Sequence, residues 1–130
     1  LCPIYLVAPT TPPERVALIV KRGKGFIYYV SREGVTGMQQ TVSDTIGPMT
    51  QIIRQHTDIP IAVGFGIKTP EQAAEIASVA DAAVVGSALV DIIAANLDPE
   101  CRPKEGVVEK LLGLVADLAA GIGGADKKGA

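Results

Sequence analysis

The sequence contains no tryptophan, one histidine and two cysteines, and aromatic residues make up 4% of it. Cys2 and Cys101 stand far apart with no C-x-x-C spacing. That fits two free thiols in a reducing cytosol better than a disulfide scaffold or a zinc site. No apolar run reaches the roughly 18 residues of a membrane span, and no charged region precedes an apolar one in the manner of a secretory signal. Twelve Lys and Arg stand against 14 Asp and Glu, a net charge of -2, and the basic residues are scattered. Without a basic stripe there is no electrostatic footprint for nucleic acid. The expectation is a soluble, cytoplasmic protein that uses no metal.

What is present is aliphatic. The 130 residues are 48% hydrophobic, enough for one core and giving no hint of two domains. Val, Ile, Leu and Ala dominate, as strands buried on both faces require. The chain opens on Leu1-Cys2-Pro3-Ile4-Tyr5-Leu6-Val7, an apolar strand with no leading Met, which reads as a piece cut from a longer chain.

Four strand-then-helix units can be drawn, with strands at about residues 3–8, 26–30, 60–64 and 81–85. Thr11-Pro12-Pro13-Glu14 supplies a capping hydroxyl, a proline for the first turn and an acid three residues on, predicting a capping box and a helix through about Arg22 with Val16, Ile19 and Val20 inward. Thr69-Pro70-Glu71-Gln72 repeats the device, with Ala73, Ile76 and Ala77 inward. Pro48 is expected to start the third helix, with Met49, Ile52 and Ile53 on its inner face. Val108, Leu111, Leu112, Val115 and Leu118 mark the stripe of a final helix that Gly121 would stop. Strict alternation implies a parallel sheet with right-handed crossovers, occupying residues 1–122, and the glycine-rich 123–130 is expected to be a disordered tail.

Two glycine-bearing turns follow the last two strands, Gly64-Phe65-Gly66 and Gly86-Ser87. Glycine lets the backbone turn sharply and bring bare N–H groups near an anion, and residues 88–95 read as a short helix whose first N–H groups are unsatisfied. In (β/α)8 barrels the loops after the last two strands and a short extra helix frequently make a phosphate site. A dinucleotide fingerprint fails because Thr69 stands where G-x-G-x-x-G needs its third glycine, and a Walker loop fails for lack of a glycine-lysine contact. The fold expected is α/β, the C-terminal half of a (β/α)8 TIM barrel made of four parallel strand-helix units. The segment from Ser31 to about Gly47 is too long for an ordinary strand-to-helix connection of about 2 to 6 residues, and two glycines would let it hinge as a lid. A plain surface loop is the alternative.

The run Gly25-Phe26-Ile27-Tyr28-Tyr29-Val30-Ser31-Arg32-Glu33-Gly34-Val35-Thr36-Gly37, together with Pro60 to Ile67, Val84 to Val90 and the opening Cys2-Pro3-Ile4, resembles the tryptophan synthase α subunit. The pattern S-R-x-G-V-T-G is close to diagnostic of that family, and the match covers nearly the whole chain while corresponding to the C-terminal half of the subunit. The family cleaves indole-3-glycerol phosphate to indole and glyceraldehyde 3-phosphate without a cofactor, and passes indole to a pyridoxal-phosphate β subunit. By that resemblance Gly37, Gly66, Gly86 and Ser87 hold the substrate phosphate, Tyr28 and Phe65 line the pocket, and Thr36 belongs to the lid. Tyr28 and Phe65 can also be read as barrel filling, and Gly86 as a strand end.

The family's catalytic glutamate and aspartate lie in the N-terminal half, and no residue here occupies either position. An inactive fragment that retains phosphate affinity is therefore expected, since a positioned carboxylate is commonly worth about 10²–10⁴ in rate. Asp81, Asp91, Glu71 and Glu75 read as caps and solvated helix positions, and His56 as a helix-end partner. The other readings are a non-catalytic phosphate-binding module and a phosphate-binding isomerase or epimerase barrel. The uncovered inner face of four strands points to a homo-oligomer.

Overall fold

The computed structural model describes residues 1–31 and 42–124. Four strands, β1 (Tyr5–Val7), β2 (Ile27–Val30), β3 (Ile61–Gly64) and β4 (Ala82–Val84), form one sheet in the order β1-β2-β3-β4, every pair parallel. Between and after them run α1 (Pro13–Arg22), α2 (Val42–Arg54), α3 (Pro70–Val79), α4 (Ser87–Ala95) and α5 (Val107–Gly123). The architecture is the half-barrel expected from the alternation of strands and helices.

Side chains alternate across a strand, so the register defines two faces. Val7, Tyr29, Val63 and Ala83 stand in one row, with Ile27 and Ile61 in the next row of that face, and the helices cover it: Val7, Ile27, Ile61 and Val63 are fully buried. Val16 and Val20 of α1, Ile46 and Ile53 of α2, Ala73 and Ile76 of α3 and Leu118 of α5 complete this core. The opposite face carries the row Leu6, Tyr28, Ala62 and Ala82, and none of the described helices packs on it; Leu6 is 60% exposed. Around a closed barrel this is the interior face.

The second predicted capping box forms. Thr69 Oγ1 accepts the Gln72 N–H at 3.3 Å while Gln72 Oε1 accepts the Thr69 N–H at 3.3 Å and the Lys68 N–H at 2.9 Å. The first does not form. Pro12, extended at φ -64 and ψ 149, is the N-cap of α1, and the Thr11 hydroxyl turns backward to accept the Ala8 N–H at 2.9 Å. Two consecutive prolines move the helix start one residue on, out of reach of Thr11.

Pro48 lies inside α2, which begins at Val42 rather than at the proline. A proline there gives the carbonyl four residues back no donor. Burial of Ile46, Thr50 and Ile53 on both sides outweighs that loss, and the Thr50 hydroxyl donates to the Gly47 carbonyl at 2.8 Å.

Gly121 does not stop α5, which continues to Gly123. A Cβ on Gly121 would lie 2.5 Å from the Pro70 carbonyl oxygen, so this glycine serves the close approach of α5 to α3. That contact fixes the inward face as Leu114 and Leu118, and splits the expected stripe: Val108, Leu112 and Val115 are exposed. Residues 125–130, most of the expected tail, lie outside the described residues.

Candidate functional site

Gly64 and Val84 are register partners at the C-terminal ends of β3 and β4, so Gly66 and Gly86 each lie two residues beyond the same rung of the sheet. Parallel pairing thus brings the two turns side by side on one edge. Gly66 has φ +65, the left-handed conformation that a side chain disfavours, and Gly86 is the N-cap of α4. An ideal Cβ on either residue would meet nothing within 4 Å, so the space above both turns is open.

The two helix starts near this edge differ. The N-terminus of α3 is closed by its capping box, whereas no side chain caps α4 and its first turn holds no acid. The Gly86 carbonyl accepts the Leu89 and Val90 N–H groups at 3.0 and 3.2 Å, which winds the first turn tightly and leaves Ser87 as its opening residue. An uncapped helix start with aligned dipoles and an exposed hydroxyl suits an anion, worth typically about 0.3–1 kcal/mol at an exposed helix end.

Tyr28 sits on the interior face and its phenol lies across Gly64: a Cβ there would come 2.4 Å from Tyr28 Oη. Phe65, between the two glycines, is 6% exposed and belongs to the hydrophobic core that the helices cover. The structure therefore brings Gly66, Gly86, Ser87 and Tyr28 to one edge of the sheet, and places Phe65 beneath it. Thr36 and Gly37 lie outside the described residues.

Among the described residues the acid at this edge is Glu71, in the first turn of α3. Among the described residues no three His, Cys, Asp or Glu side chains could hold a metal ion. Asp81, read from sequence as a cap or solvated helix position, belongs instead to the opposite end of the sheet. Its carboxylate accepts the Ile61 N–H at 2.9 Å, its own N–H donates to the Ile61 carbonyl at 3.0 Å, and it pairs with Arg54 of α2. Glu71, at the start of α3, is held below the ordinary carboxylate range by its own backbone N–H and by the Thr69 side chain. Tyr29, on the helix-covered face, is pushed above the ordinary phenol value by burial and pulled part of the way back by its hydrogen bond with Ser31.

Two features were not foreseen from the sequence. Gly64 is a contact glycine under Tyr28, which spacing alone does not distinguish from a turn glycine. An apolar cleft of about 400 Å³ lined by Gly25, Phe26, Pro60, Ala62, Ala82 and Val84 opens on the interior face. The signal for it was the period-two alternation on β3 and β4, since Pro60, Ala62 and Gly64 share one face and Ala82 and Val84 continue it.

A family model described as "Tryptophan synthase alpha chain" matches residues 1–121. The tryptophan synthase alpha chain of Opitutus terrae is 50% identical over 118 residues, 91% of this chain and 43% of that one. That of Acidiphilium cryptum is 47% identical over 121 residues, 93% and 44% of the two chains. Among solved structures, tryptophan synthase from Mycobacterium tuberculosis in space group F222 superposes with a TM-score of 0.74 at 38% identity, covering 94% of this chain and 42% of that one. The alpha subunit from Legionella pneumophila gives a TM-score of 0.73 at 31% identity, covering 95% and 43%. The chain spans less than half the length of the relatives it matches.

Proposed function

From a chain that belongs to the tryptophan synthase alpha chain family, we propose the phosphate-binding half of an indole-3-glycerol phosphate lyase of tryptophan biosynthesis. The intact form cleaves indole-3-glycerol phosphate to indole and glyceraldehyde 3-phosphate and hands indole to the β subunit, in the cytoplasm and with no cofactor of its own. The isomerase and epimerase alternative gives way to the family assignment.

The observation that carries the reading is the pair of open glycine turns, Gly66 in the left-handed conformation and Gly86 at the uncapped start of α4, on adjacent strand ends. Their N–H groups, with those of Ser87 and Gly37 and the Ser87 hydroxyl, cradle the phosphate. Such donors stabilise the dianion without needing a titrating group. Tyr28 and Phe65 form the pocket wall below, Phe65 largely from within the core, and Thr36 belongs to the lid. No carboxylate stands on the interior face among Leu6, Tyr28, Val30, Ala62, Gly64, Ala82 and Val84. Proton transfer to and from the indole ring then falls to the family's N-terminal half, and this chain by itself binds without turning over. Its partners are the phosphate-bearing substrate, the β subunit for the intact form, and a second copy of itself for the uncovered sheet face.

The test is calorimetric titration of the 130-residue chain with inorganic phosphate and with indole-3-glycerol phosphate. Gly86→Asp places a carboxylate where the anion sits and is expected to abolish binding with an unchanged circular dichroism spectrum. Unchanged affinity would remove this edge from the reading. Release of indole by the unsupplemented chain would overturn its inactivity.

A further inference from the structure

The two glycine turns reach their helices by different routes. Ser87 opens α4 directly after Gly86, so the helix itself fixes that turn. α3 opens at Pro70, four residues after Gly66, and Ile67, Lys68 and Thr69 between them belong to no helix or strand. Backbone of that kind keeps one conformation only where something outside it holds it. Ile67 supplies one hold, since its side chain is 1% exposed and part of the hydrophobic core. Lys68 and Thr69 are exposed, and their peptides need another.

Gln72 supplies it. A capping box asks the side chain at the third helical position to accept one N–H, that of the N-cap residue. Here Gln72 Oε1 accepts two, the Thr69 N–H at 3.3 Å and the Lys68 N–H at 2.9 Å, and the shorter bond is the one outside the box. The carboxamide thus reaches past the helix to the second residue after Gly66. Its base is rigid: Ala73 and Ile76 on the same helix are fully buried, and Pro70 is pressed against Gly121 of α5 too closely to admit a Cβ. The two bonds also divide the donors of the turn. The Lys68 and Thr69 N–H groups point to Gln72, while among the described residues none accepts the Gly66 or Ile67 N–H.

We propose that Gln72 is a positioning residue for the phosphate turn: its carboxamide holds the Lys68 and Thr69 peptides so that Gly66 keeps its left-handed conformation and offers its N–H to the anion. This rests on the phosphate cradle of the proposed function and adds to it a residue that touches no ligand. Glutamine suits the task better than the glutamate that a capping box also admits. A carboxylate would accept the same N–H groups but set a negative charge at the edge that a dianion approaches. The half of the box that serves the helix alone is separate, since the Thr69 hydroxyl accepts the Gln72 N–H at 3.3 Å and takes no part in holding Lys68. Cap and clamp can therefore be removed independently.

Calorimetric titration of the chain with inorganic phosphate and with indole-3-glycerol phosphate tests it, with thermal melts establishing that each variant is folded at the titration temperature. Gln72→Met keeps the length of the side chain and removes the acceptor, and is expected to weaken both ligands by about tenfold or more, the loss of a preorganised site. Gln72→Asn, one methylene shorter, loses the reach to Lys68 and is expected to do the same. Thr69→Ala removes the cap and keeps the clamp, so it is expected to bind within about threefold of the parent despite a comparable fall in melting temperature. Gln72→Glu restores the acceptor, and in about 0.5 M salt, where the added charge is screened beyond a few ångström, its affinity is expected to lie within about threefold of the parent's. In amide hydrogen exchange the Lys68 N–H is expected to be protected in the parent and in Thr69→Ala, and to exchange at least about tenfold faster in Gln72→Met. Equal affinities for folded Gln72→Met and Thr69→Ala, or one Lys68 exchange rate in all variants, would overturn the proposal. A folded parent chain that binds neither ligand removes the phosphate reading and this role with it. A parent that binds, beside a Gln72→Met variant that binds as well, removes this role alone.

Discussion

Tyr28 and Gly64 occupy the same volume by design of the backbone: the phenol of one lies where the Cβ of the other would be, 2.4 Å from Oη and 3.0 Å from Cζ. The clash is with the far end of a side chain that can move, so Gly64→Ala is expected to leave the chain folded, displace the ring and cost about 1 kcal/mol, the low end of overpacking. Tyr28→Phe removes the closest atom. In a double-mutant cycle by urea denaturation the pair should therefore cost less than the sum of its singles, by at least about 0.5 kcal/mol. Strict additivity would mean the ring does not rest on Gly64.

Gly121 meets backbone where Gly64 meets a side chain. The Pro70 carbonyl oxygen lies 2.5 Å and the carbonyl carbon 3.0 Å from the position of a Cβ on Gly121, and neither can rotate away. Gly121→Ala is expected to separate α5 from α3 and cost about 1–3 kcal/mol despite alanine's better helix propensity. Gly113, in the same helix, has nothing within 4 Å, and Gly113→Ala should stabilise by about 0.5–1 kcal/mol. Thermal melts of the two variants should move in opposite directions.

These glycines show what could be read before the fold was known. The strand-helix alternation, the glycine turns after β3 and β4 and the Thr69 box were legible because each is local: hydrophobic runs, a glycine after a strand, a hydroxyl three residues before a Gln. Pro48 and Gly121 carry local rules just as strong, a proline that begins helices and a glycine that ends them, and both rules lost to tertiary packing. Pro48 is held inside α2 by the burial of Ile46 and Ile53, and Gly121 inside α5 by its contact with Pro70. The apolar stripe of α5 was ambiguous for a related reason. Two stripes one residue apart are both present, and only the α3 contact decides that Leu114 and Leu118 go inward while Leu112 faces out. The role of Asp81 required knowing that β4 begins beside Ile61, which is a matter of register.

That role gives a further prediction. The Asp81 carboxylate accepts the Ile61 N–H at 2.9 Å and also pairs with Arg54, so it joins β3, β4 and α2 at the base of the sheet. Asp81→Ala leaves the Ile61 N–H without that acceptor, a loss of about 1–3 kcal/mol. Arg54→Ala removes the ion-pair half of the arrangement, whose partners are 41% and 31% exposed, and should cost about 1 kcal/mol or less. If the arginine variant proves the more destabilising by denaturant titration, the carboxylate acts as a charge partner and not as a strand tie.

Tyr29 makes stability depend on alkaline pH. Burial disfavours its phenolate and raises its pKa above the ordinary value of 10.0, and the hydrogen bond with Ser31 offsets part of the rise. In the unfolded chain the phenol ionises near pH 10, while in the folded protein it stays neutral to higher pH, so above pH 10 the unfolded state loses a proton that the native state keeps. Stability from this group is thus full below pH 10 and lost as pH climbs toward the folded value, with a limiting slope of about 1.4 kcal/mol per pH unit. Tyr29→Phe cannot ionise, so its stability should fall less steeply between pH 10 and 11 than that of the parent chain. At neutral pH the same variant forfeits the Ser31 contact and should be weaker by about 0.5–1.5 kcal/mol. The two stability curves should therefore converge as pH rises, and parallel curves would show that Tyr29 reaches solvent when it titrates.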